Sequence, residues 1–431
     1  MNQEKRRTAQ AAVLFLAAYI IGWSVYLLFD FLQPVPAAVR GTAADPATFM
    51  PGSIWEQSRA YTLLRDMLFF ISYAAEWAFF FLLLLTGTAA RWEAAIKQRF
   101  RRPALSFPLF IALVTAAAFL WSLPIRIVSY IASRGYGISV QPAVSWARDQ
   151  AVGLAVHGAT MIVAAGAMFL LIRKVRRWWL SLWLLSIPFL LFMMYIQPVI
   201  IDPLFNTYEP LADERLKRDI LELTDRAGIP ADQVYEVNLS EKTNAINAYV
   251  DGIGASLRIV VWDTALQTLT EDELLFLMAH EIGHYSMHHL EWSAVGSILF
   301  SFVFIAFGAW LFTTVIRRWG RELHVYSASV WSAWPLMLLI ASLLTFLSLP
   351  AANLVSRQAE RAADRYAWEL LQSTDGAITL YQKLAVSSKN FSDKPLLVEW
   401  FRSTHPSIPE RIGTIERVTQ EMKWRDGDNE R

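Results

Sequence analysis

Residues 277–289 read LMAHEIGHYSMHH, a stretch that holds four of the chain's seven histidines. The segment before them, TEDELLF, sets Thr270 and Glu273 at capping-box spacing, so a helix is predicted to start at about residue 271 and to carry the histidines. On that helix His280 and His284 project from one face a single turn apart, close enough to share one metal ion. Glu281 stands beside them, placed to hold a water and take its proton. This is the H-E-x-x-H spacing of zinc hydrolases, whose middle glutamate is a general base. The competing reading is a helix whose histidines decorate a satisfied polar face. His288 lies two turns beyond His280, about 12 Å along the axis, so a straight helix cannot bring it to the same ion. His288 and His289 are therefore read as polar residues at a membrane boundary.

The rest of the chain decides the solvent in which that helix works. Of 431 residues 55% are hydrophobic, with 18 Trp and 26 Phe, a composition too apolar for an ordinary soluble enzyme. A bilayer core about 30 Å thick takes about 20 apolar residues of helix. Seven runs of that kind occur, near residues 8–32, 67–88, 104–129, 151–172, 178–200, 292–316 and 327–352. The first follows Lys5, Arg6 and Arg7, is long and lacks a small-residue cleavage site, so it reads as an anchor. The fold expected is mainly α: seven transmembrane helices and a zincin-like α+β domain with a small β-sheet. Residues 1–200 form five membrane helices, 201–290 a polar domain, 291–352 two more spans, and 353–431 a helical part of the catalytic domain.

Short loops rich in Lys and Arg tend to stay in the cytoplasm. One set of sides holds fifteen of them, at residues 5–7, 91–102, 173–177 and 317–321; the opposite short loops hold only Arg40, Arg59, Arg134 and Arg148. The N-terminus is thus expected in the cytoplasm. Seven spans then place residues 201–290 and the tail after 353 together on the extracytoplasmic side. The absence of cysteine fits an oxidising exterior and is equally tolerated inside. A net charge of +1 gives no case for nucleic acid as a partner; the lipid bilayer is the expected one.

Within 201–290, LADERLKRDILELTDRAG reads as an amphipathic helix capped by Gly228. The strand-like QVYEVNL, NAYV and LRIVVWD follow and are expected to pair as a short antiparallel sheet. A third metal ligand must come from outside the histidine helix, because Met287 and Leu290 stand where the metzincin extension needs glycine and histidine. NLVSRQAERAADRYAWELL, after the last span, offers Glu360 and Asp364 one turn apart. Glu360 could complete the ligand set, and Asp364 could accept the free ring N–H of a ligand histidine. The alternative is a solvated helix laced by Arg357, Arg361 and Arg365.

HEIGH followed after two spans by NLVSRQAERAAD resembles the membrane zinc metallopeptidases of the type I CAAX prenyl endopeptidase family. IQPVIIDPLFNTYEPL, NAYVDGIGASLRIVVWDTAL and STHPSIPERI resemble segments of that family in the same order. The resemblance implies one zinc ion per chain, Glu360 as its third ligand and Asp364 as support. It further implies that Asn247 holds the substrate backbone and that His405 donates to the developing oxyanion. The substrate is then a peptide or membrane protein, cut without a covalent intermediate; no serine or cysteine nucleophile motif stands out. Glu76 in the second span and His157 in the fourth either line a water-filled chamber, as the family has, or are neutralised by neighbours.

Two departures from the family remain. Its eukaryotic members face the catalytic side to the cytosol, whereas the Lys and Arg count here points outward. Compact loops suggest a prokaryotic source, where a role in processing or quality control fits better than cleavage of prenylated proteins. The competing function is a seven-span metal transporter or receptor, whose ligands should lie at mid-membrane. The sequence sets no oligomeric state.

Overall fold

The computed structural model describes residues 3–252, 257–390 and 394–429; residues 253–256, inside one of the family-like segments, lie outside the described part. The N-terminal part is a bundle of long helices: α1 (Gln3–Phe31), α3 (Gly52–Leu85), α5 (Pro103–Gly135), α6 (Ala143–Lys174) and α7 (Trp178–Ile196), with the short α2 (Pro46–Phe49) and α4 (Thr88–Arg99) between them. Two further long helices follow the polar segment, α11 (His289–Trp319) and α12 (Trp334–Leu371). Seven helices are long and apolar enough to cross a membrane, and the protein is a multi-pass integral membrane protein. Phe29, Phe192, Leu299 and Leu347 stay exposed on these helices, the surface expected of side chains that face lipid rather than water. Inward, Phe80, Leu84, Phe110, Met168, Phe312 and Trp334 form one packed core.

Several helices outrun the apolar runs. α3 begins at Gly52, well before the run that starts near residue 67, and α12 continues to Leu371, well past the run that ends near 352. A 38-residue helix is about 57 Å long, nearly twice the hydrocarbon thickness, so α12 carries its polar end out of the bilayer. That end holds Glu360 and Asp364.

The polar segment contains β1 (Tyr208–Pro210), α8 (Glu214–Arg226), β2 (Val234–Val237), β3 (Ala248–Asp251), β4 (Arg258–Trp262), α9 (Asp263–Thr268) and α10 (Glu271–Ser286). Gly228 closes the turn after α8 with φ of 70°, a conformation that costs glycine little. The strands form one sheet in the order β1-β2-β4-β3. This corrects the antiparallel expectation: β2 runs parallel to β4, with Val234 opposite Ile259, while β1–β2 and β3–β4 are antiparallel. Alternating side chains specify a strand's faces but not its direction, so the parallel pair was not readable. β1 was not anticipated either; it is three residues long and ends in Pro210, which only an edge strand accommodates.

The sheet's Ile259 and Val261 pack with Phe276 and Met278 of α10, Ala367 of α12, Tyr381 of α13 (Ala377–Ser388) and Ile412 of α15 (Ile408–Asn429). A third cluster ties the bundle to the C-terminal helices, joining Leu27, Phe70, Trp77 and Phe346 to Val398 of α14 (Leu396–Arg402).

Candidate active site

α10 starts where the capping box places it. The Thr270 side chain accepts from the Glu273 N–H, and Glu273 Oε2 accepts from the Thr270 N–H at 2.7 Å. A cap of this kind is worth about 1 kcal/mol. Lys383 of α13 adds an ion pair to Glu273 at 2.6 Å and also donates to the Thr268 carbonyl, so the start of α10 is fixed from two sides. Gly283, between His280 and His284, lets α12 come close: a Cβ there would stand 3.1 Å from Cβ of Tyr366. The close approach brings the polar end of α12 against the histidine face.

His280 Nε2 and His284 Nε2 stand 3.2 Å apart. Glu360 reaches both, with Oε2 3.4 Å from His280 Nε2 and Oε1 3.4 Å from His284 Nε2. Ligand atoms about 2.0–2.1 Å from a tetrahedral ion are separated by about 3.3–3.4 Å, so these three side chains have the edge lengths of a metal site. Glu360 Oε2 is also buried without any hydrogen bond, an arrangement that a cation would satisfy. The electrostatics agree. Burial opposes a charge on His280, yet the hydrogen bond to Asp364 and the neighbouring Glu360 carboxylate outweigh it and lift the imidazole to about 9. A metal ion takes the place of the proton that such a site attracts.

Asp364 accepts from His280 Nδ1 at 2.9 Å, which leaves Nε2 free to face Glu360. Asp364 is gripped in turn by Arg411, whose Nε donates to Oδ2 at 2.9 Å, and by the Tyr381 hydroxyl at 2.7 Å. Sequence reasoning missed both partners. Arg411 lies inside the quoted STHPSIPERI segment, but nothing local marks it, because its carboxylate is 47 residues away.

His284 has a different neighbour. His289, read as a boundary residue, stands at the start of membrane helix α11, and its Nδ1 also lies 3.0 Å from His284 Nδ1. α10 ends at Ser286 and His288 takes a left-handed conformation, φ of 55°, so His289 opens the next helix beside His284, a contact the straight-helix argument about His288 did not address. His288 itself is exposed and contacts Glu291 at 3.3 Å.

Glu281, His280 and Glu360 line one cleft of about 810 Å³ together with Asn247 and His405. Burial pushes the Glu281 carboxyl above its ordinary value, with the two histidines pulling the other way. Asn247 is exposed immediately before β3, an edge strand, and its Oδ1 accepts from the Ala248 N–H. His405 Nε2 lies 3.3 Å from Glu360 Oε1, and its Nδ1 is 2.8 Å from the Thr404 hydroxyl. The loop that carries His405 is held by Arg357, which is buried and donates to the carbonyls of Glu399 and Ser403 at 2.9 and 2.8 Å. Arg361 pairs with Glu410 at 2.7 Å. These arginines therefore bind α14 and α15 rather than lace a solvated helix.

The two intramembrane residues line a second cavity of about 840 Å³ between the spans, along with Arg126 and Asp149. Glu76 there accepts from the Ser342 hydroxyl at 2.8 Å.

Comparison with known proteins adds independent findings. Residues 210–419 match peptidase family M48, and residues 34–207 match the CAAX prenyl protease N-terminal region of five membrane helices. The chain is 40% identical over 428 residues to the uncharacterized metalloprotease YhfN of Bacillus subtilis, covering 98% of this chain and 100% of that one. It is 27% identical over 343 residues to CAAX prenyl protease 1 of Saccharomyces cerevisiae, covering 73% of each. The crystal structure of S. mikatae Ste24p has the same fold, with a TM-score of 0.77 at 21% identity over 93% of this chain and 98% of that one.

Proposed function

The chain belongs to peptidase family M48, as a membrane metallopeptidase of the CAAX prenyl protease type, and from that premise we propose how its residues divide the work. His280, His284 and Glu360 hold one zinc ion. The observation that carries this is the convergence of their ligand atoms at tetrahedral edge lengths. A zinc ion bound there supplies Lewis-acid polarisation of the scissile carbonyl and lowers the pKa of water. Glu281, whose carboxyl burial raises above its ordinary value, takes the proton from the attacking water and delivers it to the leaving amine. With Nδ1 accepting from Thr404, neutral His405 presents its Nε2–H to the oxyanion. Asn247 and the open edge of β3 receive the substrate as an added strand.

Exchange of Glu281 for Gln removes the base while keeping the shape. The expected result is one zinc per chain with cleavage of a model peptide lost; undiminished hydrolysis would overturn the assignment. The alternative of a seven-span transporter or receptor has no support in the matches to known proteins.

The Lys and Arg asymmetry supports a cytoplasmic N-terminus and an extracytoplasmic catalytic side in a bacterial cell membrane. A peptide or membrane-protein substrate taken up at the bilayer, in a processing or quality-control role, follows from that placement. Because the chain has no cysteine, a single one introduced near the C-terminus reports the side directly. An impermeant thiol reagent is expected to label it in intact cells; labelling only after lysis reverses the orientation.

A further inference from the structure

The wall of the cleft away from the zinc ligands has an unbalanced charge. Arg65 from the fourth turn of α3, Lys394 just before α14 and Arg402 at its end all line it. Arg402 is paired with Asp66. Among the described residues Arg65 pairs with no carboxylate: its Nη2 donates to the neutral Asn390 side chain at 2.7 Å, its guanidinium lies over the Tyr61 ring, and its Nε is buried with no hydrogen bond. Lys394 makes no hydrogen bond or ion pair among the described residues. Four acids line the cleft: Glu281 and Glu360 belong to the zinc site, and Glu399 and Glu410 are engaged by Arg357 and Arg361. Among the described residues, then, Arg402 is neutralised by Asp66 while Arg65 and Lys394 line the wall without a carboxylate partner. Burial, and then repulsion from Arg65, pull the Lys394 ammonium down to about 7. Charges left in this state are stabilised by an incoming anion, and a guanidinium with a free edge beside an ammonium suits a carboxylate.

We propose that Arg65 and Lys394, flanked by Arg402, form a subsite that binds a carboxylate of the peptide substrate and so sets which peptides are cut. The proposal rests on the peptidase reading of the same cleft. A peptide offers that group from two sources, its C-terminus or an acidic side chain.

The test uses the full-length, zinc-loaded protein and three peptides of one core sequence. One is neutral with an amidated end, one has a free C-terminal carboxylate, and one has an amidated end and a glutamate in place of glutamine. The quantity read is kcat/KM relative to the neutral peptide. The wild type is expected to favour one carboxylate peptide by about tenfold, and which one it favours identifies the source. In Arg65→Gln and Lys394→Gln the preference falls toward one, Lys394→Arg keeps it, and Lys394→Glu shifts it toward a fourth, amidated peptide with lysine in place of that glutamine. A charge-reversed preference is a result that loss of structure cannot produce. Equal kcat/KM for all three peptides in the wild type overturns the subsite, as does an unchanged preference in both glutamine variants. If no peptide is cut by zinc-loaded wild type, the peptidase reading itself fails and the subsite with it.

Discussion

The two imidazoles that face Glu360 come from one turn of α10 yet are held in unlike ways. His280 has a side chain only 6% exposed and is backed by a carboxylate, Asp364, which Arg411 and Tyr381 lock in place. His284 is 26% exposed and is backed by another imidazole, that of His289, at the start of a membrane helix. A buried carboxylate fixes both the tautomer and the angle of its histidine. A neutral imidazole accepts one hydrogen bond and adds no charge, so it orients its partner more weakly. The contrast suggests that one ligand is set by the catalytic core and the other by the junction of that core with the membrane.

The contrast can be broken from either side. Asp364→Ala should have the larger effect: metal affinity falls by about 10–100-fold, and Arg411 is left buried without its carboxylate, a loss of about 3–5 kcal/mol in stability. Zinc titration against a competing chelator, with thermal unfolding beside it, reads both quantities. A variant that keeps wild-type affinity and stability would show that the buried network is only packing. His289→Phe preserves bulk but removes the acceptor. It should speed zinc loss to chelator by about tenfold, the low end of the range for such supporting groups, with no more than a small change in unfolding temperature. Should zinc leave the two variants at the same rate, the two ligands are held equally and the contrast disappears.

The same contrast separates what was legible in the sequence from what was not. The His280–Glu281–His284 unit, its capping box and its helix are local, so spacing alone specified them. Membrane spans were legible for a related reason: a run of about 20 apolar residues is a local signal. Glu360 and Asp364 were readable as a pair on one helix face, but their side of the site rests on Gly283 letting α12 approach, which is a tertiary fact. Arg411, Tyr381 and the Arg357 clamp on the His405 loop carry no local mark at all. The contact of His289 with His284 was not readable, because it depends on the helix break between them. The left-handed turn at His288 has no reliable signature, since such conformations are uncommon outside glycine. The sheet failed in direction and not in content: the three anticipated strands are present, and only long-range pairing decides that β2 and β4 run parallel.

Zinc content of Glu360→Ala, measured by mass spectrometry on purified protein beside the wild type, tests the central claim most directly. The expected result is about one zinc per wild-type chain and almost none in the variant, because two histidines alone leave a catalytic zinc site a ligand short. A variant that still carries one zinc per chain would contradict the account, for the ion would then be held by a ligand other than Glu360.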